Sequence, residues 1–262
     1  MEELEQQAYA LPRARSVARG AVWNWLRAGW TDLKRARLGS LFYGVALAAM
    51  GYLLIRFIGQ GAYALALITG FLLVGPFLAM GLYDISRTLE RGEPVRLTAT
   101  LLAWRANVPA IGLYTIILAL LMAVWIRISV VVVALFFEGG MPSATTLWSD
   151  IAQAEQGLVF LVVYGAAGFG FALLVFATSV VALPMLLDRS HMDTISAMIA
   201  SFNAVRLNFW PMLLWAAIIV ALTAVGFATY YLGLIVTIPV IGHATWHAYR
   251  DVIERQTTGE QP

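Results

Sequence analysis

Of 262 residues, 61% are hydrophobic and only 12% charged, where an ordinary soluble domain carries about 25% charged residues. That balance excludes a soluble globular enzyme, a disordered tail and a nucleic-acid-binding domain, and it describes an all-α polytopic membrane protein. The chain has no Cys, which removes disulfides, thiolate metal sites and Cys nucleophiles. Its 17 Lys+Arg nearly cancel its 15 Asp+Glu, so the placement of charge carries the information.

Residues 1–15 read as a disordered N-terminal tail. Residues 1–37 hold no apolar segment of signal-peptide type, so the first apolar run is expected to serve as the insertion signal. Within 16–37, Val22, Trp23, Leu26, Trp30 and Leu33 recur at helical spacing with Arg19, Arg27 and Lys34 on other faces. That pattern predicts a basic, Trp-bearing amphipathic helix at the headgroup level. The transmembrane domain is expected over 38–252.

About 20 apolar residues cross a hydrocarbon core of roughly 30 Å. Runs of that size are Leu38–Ile58, Ala62–Tyr83, Val108–Phe137 and Gly157–Leu186. A fifth stretch, Trp210 to about Ala248, carries no charge and would be roughly 58 Å long as one helix, twice what a bilayer needs. It reads as two spans hinged near Gly226–Tyr230. The expectation is six transmembrane helices as three hairpins, with short amphipathic interfacial helices such as Thr98–Ala106 and Asp193–Leu207 between them. Residues 253–262 read as a disordered C-terminal tail.

Orientation follows from Lys/Arg asymmetry. With six spans, 15 of the 17 basic residues fall on one side, in the N-terminal segment, the loops after runs two and four, and the C-terminal tail. The opposite loops hold only Glu138, Asp150 and Glu155. Both termini are therefore expected in the cytoplasm.

The hairpins share a plan. Arg105-x-Asn107 precedes Pro109, and Arg206-x-Asn208 precedes Pro211; Asn suits a helix N-cap and Pro the first helical turn. Each even-numbered span carries a Pro (Pro76, Pro184, Pro239). This reads as a threefold helical-hairpin repeat.

Several stretches together resemble one family: Trp25-Leu26-Arg27-Ala28-Gly29-Trp30-x-Asp32, Ser40-Leu41-x-Tyr43-Gly44, Gly70 to Pro76, Gly81-Leu82-Tyr83-Asp84-Ile85-Ser86-Arg87, Leu183 to Arg189, and Gly242 to Asp251. Over nearly all of Val22 to Val252 the chain is similar to the DUF2189 family of bacterial integral membrane proteins. The resemblance implies the bacterial inner membrane and names no reaction. Some members carry a provisional label as cytochrome c oxidase components, which implies a link to respiration. A haem–copper catalytic subunit needs imidazoles for two haems and a copper, and with three His and no Cys this chain is expected to bind no cofactor.

The candidate functional residues are few. Arg56 and Arg127 each stand 18 residues into a span, about 27 Å along the helix, where Arg either snorkels to phosphate or marks an intramembrane site. Asp84, Asp188 and Asp251 each stand near the cytoplasmic end of an even span and beside or near an Arg (Arg87, Arg189, Arg250); they would form an ion or substrate vestibule if the hairpins ring an axis, and interfacial salt bridges otherwise. His243 and His247, four apart, share a helix face and are a weak metal candidate; the alternative is hydrogen bonding to helix ends or to carboxylates such as Asp84 or Asp188. No Ser/His/Asp, P-loop or acid-pair constellation is legible. The expected role is a non-catalytic accessory or assembly partner of a membrane complex, with a small-solute or ion transporter or channel as the alternative. The expected surroundings are the lipid bilayer and partner membrane proteins, not nucleic acid.

Overall fold

In the computed structural model, which describes residues 11–57, 78–137 and 147–255, the described chain is helical apart from turns and one antiparallel bridge between Ala14 and Ile253. The helices are α1 (Ala21–Arg35), α2 (Arg37–Phe57), α3 (78–90), α4 (Leu97–Thr100), α5 (Val108–Phe136), α6 (Leu147–Gln153), α7 (Gly157–Ser179), α8 (Ala182–Asp188), α9 (Thr194–Leu207), α10 (Phe209–Ala228) and α11 (Leu234–Val252). The chain divides into two compact units, Met1–Thr115 with Ala177–Pro262, and Ile116–Phe176.

In the first unit α1 lies on α11. The face it buries is Val22, Trp25, Gly29 and Leu33, a three-to-four-residue period. Gly29 permits the contact: a Cβ there would stand 2.7 Å from the Ala244 backbone nitrogen. Trp23 and Trp30, predicted on the apolar face, are exposed instead, and Trp25 takes the inward position, edge-on to Trp215. After Ala36 the axis turns by 105° into α2. No Pro or Gly breaks the helix here, so tertiary contacts on the inside of the bend hold it. α2 turns Ser40, Tyr43 and Ala48 inward and Phe42, Val45 and Leu53 outward. Tyr43 packs on Leu82 and Ile85 of α3, and its hydroxyl meets Thr100 Oγ1 at 2.9 Å.

The run predicted over Gly157–Leu186 is interrupted at Val180–Val181, between α7 and α8. Pro184 lacks an N–H, and its ring crowds the carbonyl four residues back. The open ladder is closed by α9: the Ser201 hydroxyl donates to Ala177 O at 2.8 Å and accepts from Val181 N at 3.2 Å. α9 buries its small residues more than its large ones. Ala197, Ala200, Ser201 and Ala204 are buried, while Ile195, Ile199 and Phe202 are exposed. Small residues let backbones approach, and lipid accepts the large ones.

Asn208 precedes α10 without a side-chain cap bond. Asn107 donates to Met192 O at 2.8 Å, and Asn208 donates to Arg15 O and Ala204 O while accepting from Val17 N. Both staple distant segments, which uses the amide more fully than one cap bond would. The assigned tails also meet: Arg15 N bonds Val252 O at 2.7 Å and Glu254 N bonds Arg13 O at 3.0 Å.

The second unit is built on aromatic packing. Val133, Ile151 and Phe160 are buried together against Phe136, Phe137 and Tyr164. Trp125 stacks on Phe171 with centroids 5.4 Å apart, and the Ser129 and Tyr164 hydroxyls meet at 2.6 Å. The predicted loop between runs three and four contains α6, which supplies Ile151.

Among the described residues, three stretches are long and apolar enough to cross a membrane: Ala103–Phe136, Gly157–Asp188 and Phe209–Ala228. A fourth forms if α1 and α2 count as one bent span. The six predicted crossings are thus met in part. Most of Ala62–Tyr83 lies outside the described residues. The last apolar stretch breaks at 229–233, with Tyr230 and Tyr231 at φ of 52° and 68°, but α11 carries His243, His247, Arg250 and Asp251 in its C-terminal half and is too polar to count.

Candidate functional site

Four helices meet at one buried polar cluster. α11 presents His243 and His247 one turn apart. The α1–α2 bend presents Asp32 and Ser40 from its two sides, and α3 contributes Ser86. The Ser40 Oγ lies 2.9 Å from His243 Nε2, and the Ser86 Oγ lies 2.8 Å from His243 Nδ1. Ser86 donates to Asp32 Oδ2 at 2.8 Å, and His247 Nε2 stands 2.7 Å from the same oxygen. Ser40, Ser86 and His243 are sealed, with at most 1% exposure. His247 keeps 27% of its side chain exposed and forms the open end of the row.

Counting donors fixes the protonation pattern. Ser86 gives its only proton to Asp32, so its oxygen must accept from His243 Nδ1–H. A charge on a fully buried ring is costly, which leaves Nε2 as an acceptor. The Ser40 hydroxyl stands 2.9 Å from both Ala36 O and His243 Nε2; turned to the ring it supplies that proton, and Ala36 O still accepts the Ser40 backbone N–H at 2.9 Å. The neutral Nδ1–H tautomer therefore satisfies every group, and His247 Nε2–H donates to the carboxylate.

This arrangement is not a hydrolytic triad. In a triad the acid orients the imidazole and the serine faces substrate; here Ser86 stands between acid and imidazole. Two surface cavities among the described residues, of about 460 and 470 Å³, are lined by other residues. Nor do the histidines converge on a metal, since both His243 nitrogens face hydroxyls and His247 Nε2 faces Asp32.

The three predicted aspartates go to separate partners. Asp84 pairs with Arg87 of its own helix at 2.6 Å, and Arg87 also reaches Leu187 O. Asp188 accepts from Tyr249 at 2.7 Å and from Arg250 at 3.2 Å. Asp251 accepts from Arg15 at 3.2 Å and from Trp25 Nε1 at 3.0 Å. Asp188 and Asp251 thus serve as stays on α11. Arg250 also binds Glu90, which accepts from Trp246 as well. Burial alone raises the Glu90 carboxyl, but the hydrogen bond and charge of Arg250 outweigh it and hold it below the usual range. Arg127 is exposed on α5, a helix that continues unbroken to Phe136. Arg56 lies in α2.

The His pair was legible from its spacing. Asp32, Ser40 and Ser86 carry no such spacing signal, although each lies in a stretch that bears the family resemblance. One further signal was available: Asp32 is the only acid between Glu5 and Asp84.

Span-length apolar helices joined to a bundle with a sealed polar interior define an integral membrane protein. The model of the DUF2189 family, described as a predicted integral membrane protein, matches residues 64–188. The match covers just under half of the chain and is to the family the sequence resembles. No curated protein and no solved structure matches the chain.

Proposed function

We propose that this chain is a non-catalytic accessory or assembly partner of a complex in the bacterial inner membrane, the family resemblance favouring a respiratory oxidase. In this reading six helices cross as three hairpins with both termini in the cytoplasm. The observation that carries the proposal is unspent apolar surface: only 6% of the most apolar window of Ala103–Phe136, and of Gly157–Asp188, is buried within the chain. The acids and imidazoles of the polar cluster, by contrast, are consumed by internal partners. Reactive groups point inward, and packing surface points outward.

Purification in mild detergent with chemical crosslinking tests this. A stoichiometric membrane-protein partner is expected, together with reduced content of that complex on deletion; a chain recovered alone, with oxidase content unchanged on deletion, removes the proposal. The topology is testable because the chain lacks Cys. Glu155→Cys should react with an impermeant maleimide in intact cells and Glu93→Cys should not; the reverse pattern overturns the orientation.

A second reading, an ion or small-solute transporter, draws support from the row His247–Asp32–Ser86–His243–Ser40, a hydrogen-bonded path open at one end. Proton or solute flux in proteoliposomes that is unchanged by Asp32→Asn and by His243→Gln would dismiss it.

A further inference from the structure

An apolar groove of about 460 Å³ runs between α1, α10 and α11, lined by Trp23, Leu26 and Trp30 on one wall and by Leu222, Val236 and Val240 on the other. Its outer lip is chemically different. Arg27 follows Trp23 by four residues and Lys34 follows Trp30 by four, so each cation stands one turn beyond an exposed Trp on the same face. Lys34 Nζ lies 5.3 Å from the Trp30 ring centre, and both cations are exposed. Asp32, the acid of α1, is turned to the opposite side, into the polar cluster. The lip therefore carries two positive charges with no acid of its own helix beside them.

We propose that this groove is a binding site for an anionic phospholipid of the surrounding bilayer. One acyl chain lies in the groove, the Trp rings stand at glycerol depth, and the phosphate is held by Arg27 and Lys34. Three features select this occupant. An apolar trough lined almost wholly by carbon suits an alkyl chain. Exposed Trp rings suit the membrane interface. Two cations with no acid of their own helix beside them favour an anion over a zwitterion. A peptide or a second copy of the chain would leave backbone amides facing a groove with almost no polar lining.

The test uses the purified full chain in mild detergent, titrated with phosphatidylglycerol or with phosphatidylcholine of the same chains, adducts being counted by native mass spectrometry. Each cation near an anionic surface contributes about fivefold, so phosphatidylglycerol should be preferred by about 25-fold. Arg27→Gln with Lys34→Gln should reduce that preference to near unity, and their exposure leaves folding undisturbed. Ala221 also lines the groove, so Ala221→Phe, which fills it and keeps both cations, should lower the binding of either lipid. Millimolar inorganic phosphate should fail to compete, because it lacks the chain. Equal binding of the two lipids, unaltered preference in the double variant, full competition by phosphate, or a self-associated chain that excludes lipid would each overturn the proposal.

Discussion

Replacing Asp32 by Asn isolates the contribution of the cluster to stability. The Asp32 carboxylate is buried and receives two hydrogen bonds, from Ser86 at 2.8 Å and His247 at 2.7 Å. Removing one member of a buried charged network costs about 3–5 kcal/mol. Asn keeps the volume and one acceptor oxygen, and His247, 27% exposed, recovers water when its partner weakens. The expected loss is therefore about 2–3 kcal/mol. For a chain of this size each kcal/mol moves the thermal midpoint by roughly 2–4 °C, giving a fall of roughly 4–12 °C. Detergent-solubilised protein followed by Trp fluorescence reports the transition. Arg15→Gln is the control, since its pair with Asp251 is 50% and 37% exposed and contributes under about 1 kcal/mol. An Asp32→Asn midpoint within 2 °C of the parent, or an equal fall in the control, would refute the reasoning.

Ser201→Ala should unpair Val181 N–H and Ala177 C=O together, costing about 1–3 kcal/mol in thermal unfolding; an unchanged midpoint would mean that the broken ladder closes without the hydroxyl. Gly29→Ala forces a methyl against the Ala244 and Val240 backbones and should cost about 1–3 kcal/mol, whereas Gly20→Ala, with open space around it, should be silent in the same assay. The Ser196 side chain, joined by the Ser196 backbone N–H, holds the Asp193 carboxyl below its ordinary value of 3.8. Its cap therefore stabilises fully above that pH and fades as pH falls through the lower folded value. Asp193→Ala should cost about 1 kcal/mol at pH 6 and progressively less as the pH falls below 3.8, and a pH-independent difference between the two proteins would contradict the cap.

The sequence displays what the bilayer demands and conceals what the helices demand of one another. Long apolar runs and the break in the last one were readable because crossing requires length and excess length requires a hinge. Which face packs was not readable. In lipid a large apolar side chain gains nothing by turning inward, so Ile195, Ile199 and Phe202 face out and the alanines of α9 face in. In the site, the i, i+4 spacing announced His243 and His247, but the acid that meets His247 stands 215 positions away. No local period encodes that pairing. It depends on Gly29 letting α1 lie against α11, a packing fact that spacing alone does not express. The aspartates mislead for the same reason: equivalent positions in sequence acquire different partners once the helices are arranged.

The clasp between residues 13–15 and 252–254 constrains topology by parity. Two segments joined by an isolated bridge and backbone hydrogen bonds lie on one side of any bilayer the chain crosses, and an even number of traversals is then expected between them. Three traversals cannot close such a circuit. A fourth crossing by the bent α1–α2 pair would satisfy that parity, and probes attached at residues 13 and 254 are expected to report the same side.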